Sequence, residues 1–459
     1  MLDAGGGGQG TGHARLAGVL LEEDELGQAG QLVVGVVHGE TVRTGEIQMR
    51  PTSAVCQRRE VTASSEVIVR GAEDGDWPGM ALLAATCFGL WHPPDARQMW
   101  QSLVAPGCAV VACDGPDVVG TAVALDLEVT VPGGAVLPMA GISWVAVSPT
   151  HRRRGVLRAM FAELHTRMDR YSIAGLEASE AGIYGRFGYG RATEALRLTV
   201  DRGSARFHDT VADPGGVRLA HAAEHREQLE DIFERWRRQT PGGLHSPRQL
   251  WDDVLTDRPD ARDGGSALFC LLHPDGFALY RVHGGERKDR IEITKFAAVT
   301  ADAHVALWRT LLGMDLMDSV SVHTHPGEPL PYLLTDPRLV RTTGVDDGLW
   351  LRLLDVPAAL RARTYSADVS VVLDISDPVL GGGGRFSLDV HDGRARCVPT
   401  TADADVHTDL SVLGSLYFGA HPASAFATAG RLRCADPGLV AALDAAFASG
   451  VPAQLGFGF

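Results

Sequence analysis

The chain has regular hydrophobic periods from about residue 64 onward, and they first predict a unit of mixed helix and strand. Apolar residues first recur at helical spacing. They then form two runs across a DGPD turn, which predict a hairpin, and a third run, which predicts a strand. Helical spacing returns after that. The predicted helix, hairpin, strand, helix and strand lie at residues 76–88, 109–129, 141–149, 156–168 and 174–178. Together they predict an α+β domain over residues 64–204.

The same order of elements occurs a second time along the chain. The second set lies at residues 224–239, 267–282, 290–299, 301–313 and 319–325. The repetition predicts an internal duplication, with a second domain over residues 205–348. The corner between its strand and helix reads AVTADAHVA and lacks the arginines and the glycine of the first corner. We therefore expect the second domain to be a degenerate copy.

The last part of the chain, residues 349–459, has a different pattern. The runs ADVSVVLDIS and GRFSLDVHDGRARCVP predict strands with a turn at Asp392 and Gly393, and the glycines at 381–384 predict a hairpin loop. Two helices are predicted, at about 408–417 and 438–449. The chain ends in QLGFGF, whereas termini are usually polar and frayed, so we expect a carboxyl end inserted into protein.

Composition limits the partners and the location that we expect. The first 63 residues begin with AGGGGQGTG and predict a disordered, low-complexity extension without chemistry. A net charge of −15 disfavours nucleic acid. Because no apolar run approaches the roughly 20 residues that span a bilayer, we expect no membrane association. The seven cysteines form no C-x-x-C pair, which argues against a metal site or a disulfide framework and favours a cytoplasmic location.

The stretch SPTHRRRGVLRAM, residues 148–160, has three arginines and a glycine where a strand turns into a helix. The first N–H groups of a helix lack partners, and the helix dipole attracts anions there. Gly155 has no Cβ to obstruct a bulky anion, and the arginines can form charge-assisted hydrogen bonds with phosphate oxygens. The corner predicts a pyrophosphate cradle. Alternatively, Arg152 to Arg154 form a solvated surface turn.

This corner resembles the R/Q-x-x-G-x-G/A signature with which GNAT acetyltransferases bind coenzyme A, although Leu157 replaces the usual small residue. From about residue 66 to the end, the chain resembles the enhanced intracellular survival (Eis) acetyltransferases. The resemblance is carried by segments that include DWPGM, VAVSPTHRRRGVLRAM, SEAGIYGRFGYG, ERWRRQTPGGL, LLHPDGFALYRV and LGSLYFGAH. It implies an α+β fold with two tandem GNAT-like domains followed by a sterol-carrier-protein-like α/β domain. It also implies a homohexamer that transfers acetyl from acetyl-CoA to amines, including those of aminoglycosides.

The resemblance also implies roles for individual residues. Tyr184 matches the general acid, and Phe459 matches the residue whose terminal carboxylate, supplied by the third domain, acts as base. Contacts with acetyl-CoA are implied for Val145, Ala146, Val147, Arg153, Arg154, Gly155, Val156, Leu157, Arg158, Ser179 and Glu180. The chemistry agrees, because an attacking amine must lose a proton and a departing thiolate must gain one. Alternatively, Tyr184 is an aromatic residue at the rim of the core and Phe459 only packs.

The acceptor pocket departs from the family pattern. Leu90 and Gly458 stand where family members that accept aminoglycosides have acidic residues, and Glu177 stands where the pattern has histidine. Candidate lining residues are Trp77, Phe88, Trp91, Trp100 and Ser143. Because a polycation would lose two charge partners, we expect a reshaped pocket, with aminoglycosides, polyamines and protein lysines as the candidate acceptors.

Part of the sequence also agrees with a binding protein in place of an enzyme. The sterol-carrier-like domain could bind an apolar ligand while the GNAT half only senses coenzyme A. The RRRG corner together with Tyr184 favours the enzyme, because a sensor has no need of an acid at the thioester sulfur. A protein-lysine acetyltransferase would need a pocket that is open to a side chain on a folded surface.

Overall fold

A computed structural model describes residues 66–89, 94–284 and 289–459 of the chain. The expected extension over residues 1–63, and also Leu90 and Trp91, lie outside these ranges. The predicted order of helix, hairpin, strand, helix and strand in the first part is confirmed. Its elements are β1 (Ile68–Gly71), α1 (Trp77–Phe88), α2 (Pro94–Ser102), β2 (Val104–Asp114), β3 (Asp117–Thr130), β4 (Val136–Val147), α3 (Val156–His165), β5 (Ile173–Glu177), α4 (Ala181–Tyr184) and β6 (Gly190–Arg191).

The second part repeats this order, as the sequence predicts. Its elements are β7 (Glu194–Asp201), β8 (Arg218–Ala220), α5 (Arg226–Gln239), α6 (Arg248–Thr256), β9 (Phe269–His273), β10 (Gly276–His283), β11 (Asp289–Ala298), α7 (Ala301–Gly313), β12 (Met317–Thr324), α8 (Leu330–Leu333) and β13 (Val340–Asp347). The helix α7 begins after Thr300, whose side chain accepts a hydrogen bond from the Ala303 amide. This N-cap satisfies one of the free N–H groups at the helix start.

The third part begins with a strand that its sequence pattern did not reveal. Its elements are β14 (Leu349–Leu353), α9 (Val356–Ala362), β15 (Val369–Ser376), β16 (Gly384–His391), β17 (Arg394–Pro399), β18 (Val406–Asp409), α10 (Leu410–Leu416), α11 (Ala423–Thr428), β19 (Arg433–Cys434) and α12 (Pro437–Phe447). The predicted turn at Asp392 and Gly393 is confirmed, and both residues have the positive φ that a tight hairpin turn requires, 49° and 73°.

Within the described residues, these strands form three sheets. Their orders are β1-β2-β3-β4-β5-β14-β6, β13-β7-β12-β11-β10-β9-β8 and β17-β16-β15-β18-β19. In the first sheet α1 packs against β3 and β4, while α3 packs against β2 and β3 with its apolar stripe of Met160, Phe161 and Leu164 buried. The apolar positions that recur at helical spacing therefore face the sheet.

Two strands are exchanged relative to the predicted domains, because each lies in a sheet outside the predicted domain that contains it. The strand β7 directly follows the first part but lies in the second sheet, where Val200 pairs with both Val320 and Val340. The strand β14 follows the second part but lies in the first sheet, where Leu351 pairs with Gly175 and Gly190. The predicted boundaries after residues 204 and 348 therefore assign each of these two strands to a different domain from the sheet in which it pairs.

The helix α10 lies directly on β14 and β6 because two glycines leave room for it. A Cβ on Gly414, within α10, would lie 2.1 Å from the Leu351 carbonyl oxygen, and a Cβ on Gly190 would lie 1.7 Å from the Ser411 carbonyl oxygen. Both distances are too short for any side chain, and both partners are backbone atoms. The helix α10 therefore contacts β14 and the edge strand β6 backbone to backbone.

This contact predicts a strong effect for one added methyl group. We expect Gly414→Ala to lower stability by about 1–3 kcal/mol, because an overpacked site must move backbone atoms. Gly313→Ala is the matched control, since Gly313 is also helical and a Cβ there meets nothing within 4 Å. The measurement is the thermal unfolding midpoint of each variant. Equal midpoints for the two variants would contradict the close contact.

Candidate active site

The site begins where two neighbouring strands stop pairing. The parallel strands β4 and β5 pair only through Met139 with Ile173, Ala140 with Ala174 and Gly141 with Gly175. Beyond Gly141, β4 continues to Val147 with β3 as its neighbour, so its other edge has no strand partner among the described residues. Backbone N–H and C=O groups in such a gap need partners, which a ligand can supply.

A β-bulge lies at this same point of β4. Ser143 pairs with Val123 and Ala146 with Thr121, so three steps along β4 match two steps along β3. Trp144 takes up the extra residue with a φ of 52°, and its ring packs against Trp77, with 6.2 Å between ring centroids. Bulges change the direction of the side chains beside them. Here the bulge places Ser143, Trp144 and Val145 in the wall of a cavity.

The RRRG corner follows β4 and leads into α3. Gly155 precedes the helix with a φ of 82°, a left-handed conformation that favours glycine, and no side chain caps the helix start. The first-turn N–H groups of α3 are therefore open to a ligand, unlike that of Ala303 in α7. His151, just before the corner, is held to Asp114 of β2, with 3.0 Å between Nε2 and Oδ2.

The positive charges of the corner have no acidic partners within the described part of the chain. Arg153, Arg154 and Arg158 are exposed and form no ion pair there, while most other arginines of the fold do. Surface arginines commonly find carboxylates in an acidic protein. A cluster without them beside an open helix start is suited to binding a polyphosphate.

A cavity of about 880 Å³ extends along this corner. Every residue with a predicted acetyl-CoA contact lines it except Arg154, whose guanidinium lies outside the lining. The lining residues among them are Val145, Ala146, Val147, Arg153, Gly155, Val156, Leu157, Arg158, Ser179 and Glu180. The third part of the chain adds Val379, from the predicted hairpin loop region, which the sequence gave no reason to expect.

A second cavity of about 240 Å³ adjoins the first. Of the predicted acceptor residues, Phe88, Trp100, Ser143 and Glu177 line it, whereas Trp77 lies behind Trp144. Sequence reasoning missed Ala81, Ala84 and Ala85, which line this cavity with Arg97. Their small size and helical spacing on α1 were the available signal, because small residues on one face leave room for a ligand.

Tyr184 lies at the junction of the two cavities. It lines both, together with Phe88, Val145 and Ser179. The side chain is only 5% exposed, and burial raises the pKa of Tyr184, while a hydrogen bond with Ser179 acts in the opposite direction. The phenol therefore holds its proton at neutral pH and can donate it to an atom at the junction.

The carboxyl terminus enters the smaller cavity from the other side. The ring of Phe459 lines this cavity, and its backbone amide donates a hydrogen bond to Glu177 Oε2 at 2.8 Å. Partial enclosure raises the pKa of Glu177, and the Phe459 amide lowers it in part. A Cβ on Gly458 would lie 2.7 Å from Glu177 Oε2. An acidic side chain at 458 would thus have to displace the carboxylate of Glu177.

Within the described ranges, His, Cys, Asp and Glu side chains form no group of three or more that could hold a metal ion. Of the described helices, none combines the length and the apolarity that crossing a membrane requires.

Comparison with known protein families defines the class. Two models described as acetyltransferase (GNAT) domain match residues 68–192 and 242–353. A model described as sterol carrier protein domain matches residues 356–455. The predicted fold, two GNAT domains followed by a sterol-carrier-like domain, is confirmed. The GNAT fold implies acetyl-CoA as the acetyl donor.

Individual relatives narrow this class to one family. N-acetyltransferase Eis of Mycobacterium bovis (strain BCG / Pasteur 1173P2) is 54% identical over 401 residues, which cover 84% of this chain and 98% of that protein. Eis of Mycobacterium tuberculosis (strain ATCC 25177 / H37Ra) matches equally well. The crystal structure of Eis1 from Mycobacterium abscessus is 31% identical with a TM-score of 0.76, over 86% of this chain and 100% of that one. The chain belongs to the Eis family of N-acetyltransferases, as the resemblance predicted.

The arginines of the corner are expected to contribute unequally to coenzyme A binding. We expect Arg153→Gln combined with Arg158→Gln to weaken the binding of coenzyme A by tenfold or more, because charge-assisted hydrogen bonds are worth about 1.5–3 kcal/mol each. Isothermal titration calorimetry with coenzyme A is the measurement. The control is Arg154→Gln, because Arg154 is also exposed but does not line the cavity. We expect this change to weaken coenzyme A binding at most twofold. An equal loss in the control would refute the assignment.

Proposed function

We propose that this N-acetyltransferase transfers acetyl directly from acetyl-CoA in the larger cavity to a primary amine in the smaller one. Tyr184 is the general acid and the terminal carboxylate of Phe459 is the base. The observation that carries the proposal is the position of Tyr184, which lines both cavities, while Phe459 lines only the smaller one. Tyr184 is thus placed where the two cavities meet, and Phe459 lies on the acceptor side.

The larger cavity suits acetyl-CoA from end to end. The open first turn of α3 and the arginines 153 and 158 fit the pyrophosphate, and the free edge of β4 fits the amide groups of the pantetheine arm. When bound, acetyl-CoA supplies an acetyl group that is activated as a thioester. The pantetheine arm would run along Val145 to Val147 toward Tyr184, where the two cavities meet.

The smaller cavity provides the proton acceptors that an amine needs. A free alkylammonium has a pKa near 10.4, so it must lose a proton before it attacks. The terminal carboxylate of Phe459 can accept this proton directly or through a water molecule. The nearby carboxylate of Glu177 adds negative potential, which strengthens a neighbouring base.

Tyr184 provides the other proton. Its raised pKa keeps the phenol protonated in the pH range where amines begin to deprotonate. A phenol that is at once buried and in contact with both cavities can donate to the sulfur as the thiol leaves. The acid thus serves the donor side of the reaction and the base serves the acceptor side.

The size and the charge of the smaller cavity favour some acceptors over others. A volume of about 240 Å³ is below the roughly 300 Å³ at which pockets begin to enclose drug-sized ligands, so it fits the amine end of an acceptor. Its walls are mainly alanine and aromatic side chains, with Glu177 as a carboxylate. We infer that a lysine side chain or another amine with an apolar stem is accepted more readily than polycationic aminoglycosides or polyamines.

The alternative of an apolar-ligand carrier is less well supported. The interior of the third domain is filled by Tyr417 and Phe418, both fully buried. The guanidinium of Arg363 is also buried and donates hydrogen bonds to the Tyr417 and Phe447 carbonyl oxygens. A densely packed interior of this kind favours a domain that delivers the tail over one that stores a lipid.

The proposal extends to the assembly and the location that the sequence suggested. We propose a homohexamer because the family resemblance implies one, and a cytoplasmic location because the cysteine pattern favours it. The six cysteines that the structure describes are all free thiols, which agrees with a reducing compartment.

The proposed acid is tested by removing one oxygen atom. In an assay of coenzyme A thiol release with aminoglycosides, polyamines, arylalkylamines and lysine peptides, we expect turnover by the natural chain. Tyr184→Phe should lower turnover by about 10² with the best acceptor, because general acid catalysis contributes that much. The control is Tyr189→Phe, which also removes a buried phenol oxygen but one that lies 3.1 Å from His165 Nε2 and lines neither cavity. A wild-type rate for Tyr184→Phe would remove the phenol from the mechanism.

The proposed base is tested by adding one residue. A glycine appended after Phe459 turns the carboxylate into a peptide carbonyl and moves the charge one residue onward. We expect turnover to fall by 10² or more while affinity for coenzyme A stays within twofold, because the larger cavity does not include Phe459. If turnover persists, Glu177 is the base instead, and Glu177→Gln should then abolish it.

A further inference from the structure

One cation in the second domain has surroundings that no part of the reaction explains so far. Lys295 lies on β11 and is partly buried. Its ammonium nitrogen lies over three aromatic rings, 4.5 Å from the centroid of Phe233, 5.5 Å from Trp251 and 5.6 Å from Phe457. No carboxylate among the described residues forms an ion pair with it. A partly buried ammonium without a counter-ion needs another source of stabilisation.

The tail of the chain supplies part of that stabilisation. The ammonium of Lys295 donates a hydrogen bond to the Gly456 carbonyl oxygen at 3.2 Å. Two of the three rings belong to helices of the second domain, since Phe233 lies in α5 and Trp251 in α6, while Phe457 belongs to the tail. Burial lowers the pKa of Lys295 to about 8, so the ammonium form still predominates at pH 7. The cage around this cation is complete only when the tail is in place.

The identity of the cation matters in this chain. Only two residues, Lys288 and Lys295, are lysines, although lysine and arginine together number 42. Arginine thus occupies nearly every other cationic position. A lysine ammonium is a compact charge with three rotatable donors, whereas a guanidinium is a planar fork of five, so the two are not interchangeable at one site.

The tail is shaped to pass this cage and reach the acceptor cavity. Gly456 has a φ of 88°, and a Cβ there would lie 2.8 Å from the Trp236 ring. Phe457 packs against Phe233, with 6.5 Å between ring centroids. Gly458 then passes Glu177, and Phe459 enters the cavity. Only three residues separate the carbonyl that Lys295 holds from the terminal carboxylate.

We propose that Lys295 is a positioning residue that holds Gly456 and Phe457 and thereby fixes the carboxylate of Phe459 in the acceptor cavity. This inference rests on the proposed function, because it assigns the base to Phe459. It gives the second domain, whose own corner lacks the arginines and the glycine, a role in the reaction of the first. A free carboxyl end would otherwise sample many conformations, of which few place the base at the amine.

A labelling experiment tests the contact without any assay of activity. The natural chain and a variant lacking residues 456–459 are treated with a water-soluble amine-reactive ester, and the modification of Lys295 is followed by mass spectrometry. We expect Lys295 to react at least tenfold faster without the tail, because its ammonium is then open to solvent. Lys288 in the same sample serves as the internal reference. Equal rates for Lys295 in the two chains would overturn the proposal.

A second experiment tests the role of the contact in the reaction. We expect Lys295→Met, which keeps the length and removes the charge and the donors, to lower kcat about tenfold while KM for acetyl-CoA stays within twofold. Arg290→Met removes an exposed positive charge from the same strand and should leave both constants unchanged. In the variant with a glycine appended after Phe459, Lys295→Met should have no further effect. A further loss there would show a general structural effect and would overturn the positioning role.

The outcomes distinguish this inference from the proposed function. If the appended glycine suppresses turnover and Lys295→Met does not, the carboxylate is the base but Lys295 does not position it. If neither change affects turnover, the assignment of the base to Phe459 fails, and the positioning role fails with it. If Lys295 is protected by the tail and both changes act on kcat alone, both proposals stand.

Discussion

The separation of β4 from β5 after Gly141 and Gly175 is the constraint on which the site depends. Continued pairing would satisfy the backbone of both strands and would close the space that both cavities occupy. The last pair consists of two glycines, and each leaves room for a neighbour that defines the site. A Cβ on Gly141 would lie 3.0 Å from the Phe459 ring, and one on Gly175 would lie 2.9 Å from Leu349 of the exchanged strand. At the point where β4 and β5 separate, the tail lies beside Gly141 and β14 lies beside Gly175.

The carboxylate of Glu177 in the acceptor cavity is held in place by the first sheet. Glu177 is the last residue of β5, so its position is fixed by the sheet, whereas a carboxylate at position 458 would move with the tail. The amide of Phe459 then binds to that fixed carboxylate. In this arrangement the sheet orders the end of the tail, in addition to holding a negative charge for the acceptor. The glycine at 458 and the carboxylate at 177 are therefore coupled, because a Cβ on Gly458 would lie 2.7 Å from Glu177 Oε2.

The sequence was sufficient for features that depend on local chemistry. The helix and strand periods, the corner at Gly155 and the apolar tail each predicted an element that the structure contains. The bulge at Trp144 was not predictable, because one inserted residue hardly alters the alternation of a strand. The contributions of Val379 and Lys295 were also hidden, since each acts on residues more than 150 positions away in sequence. The sequence pattern also does not distinguish Arg153, which lines the larger cavity, from Arg154, which does not.

The exchange of β7 and β14 determines how this molecule can be divided. A fragment that ends near residue 204 would carry β7 without the strands it pairs with, and it would lack β14 between β5 and β6. Its sheet would present an open edge of unpaired backbone groups, a surface prone to aggregation. The first domain is therefore not an independent module that could be inherited or expressed by itself. A lineage that lost the second copy would also have to replace β14, which lies between β5 and β6 in the first sheet, and this ties the second domain to the first.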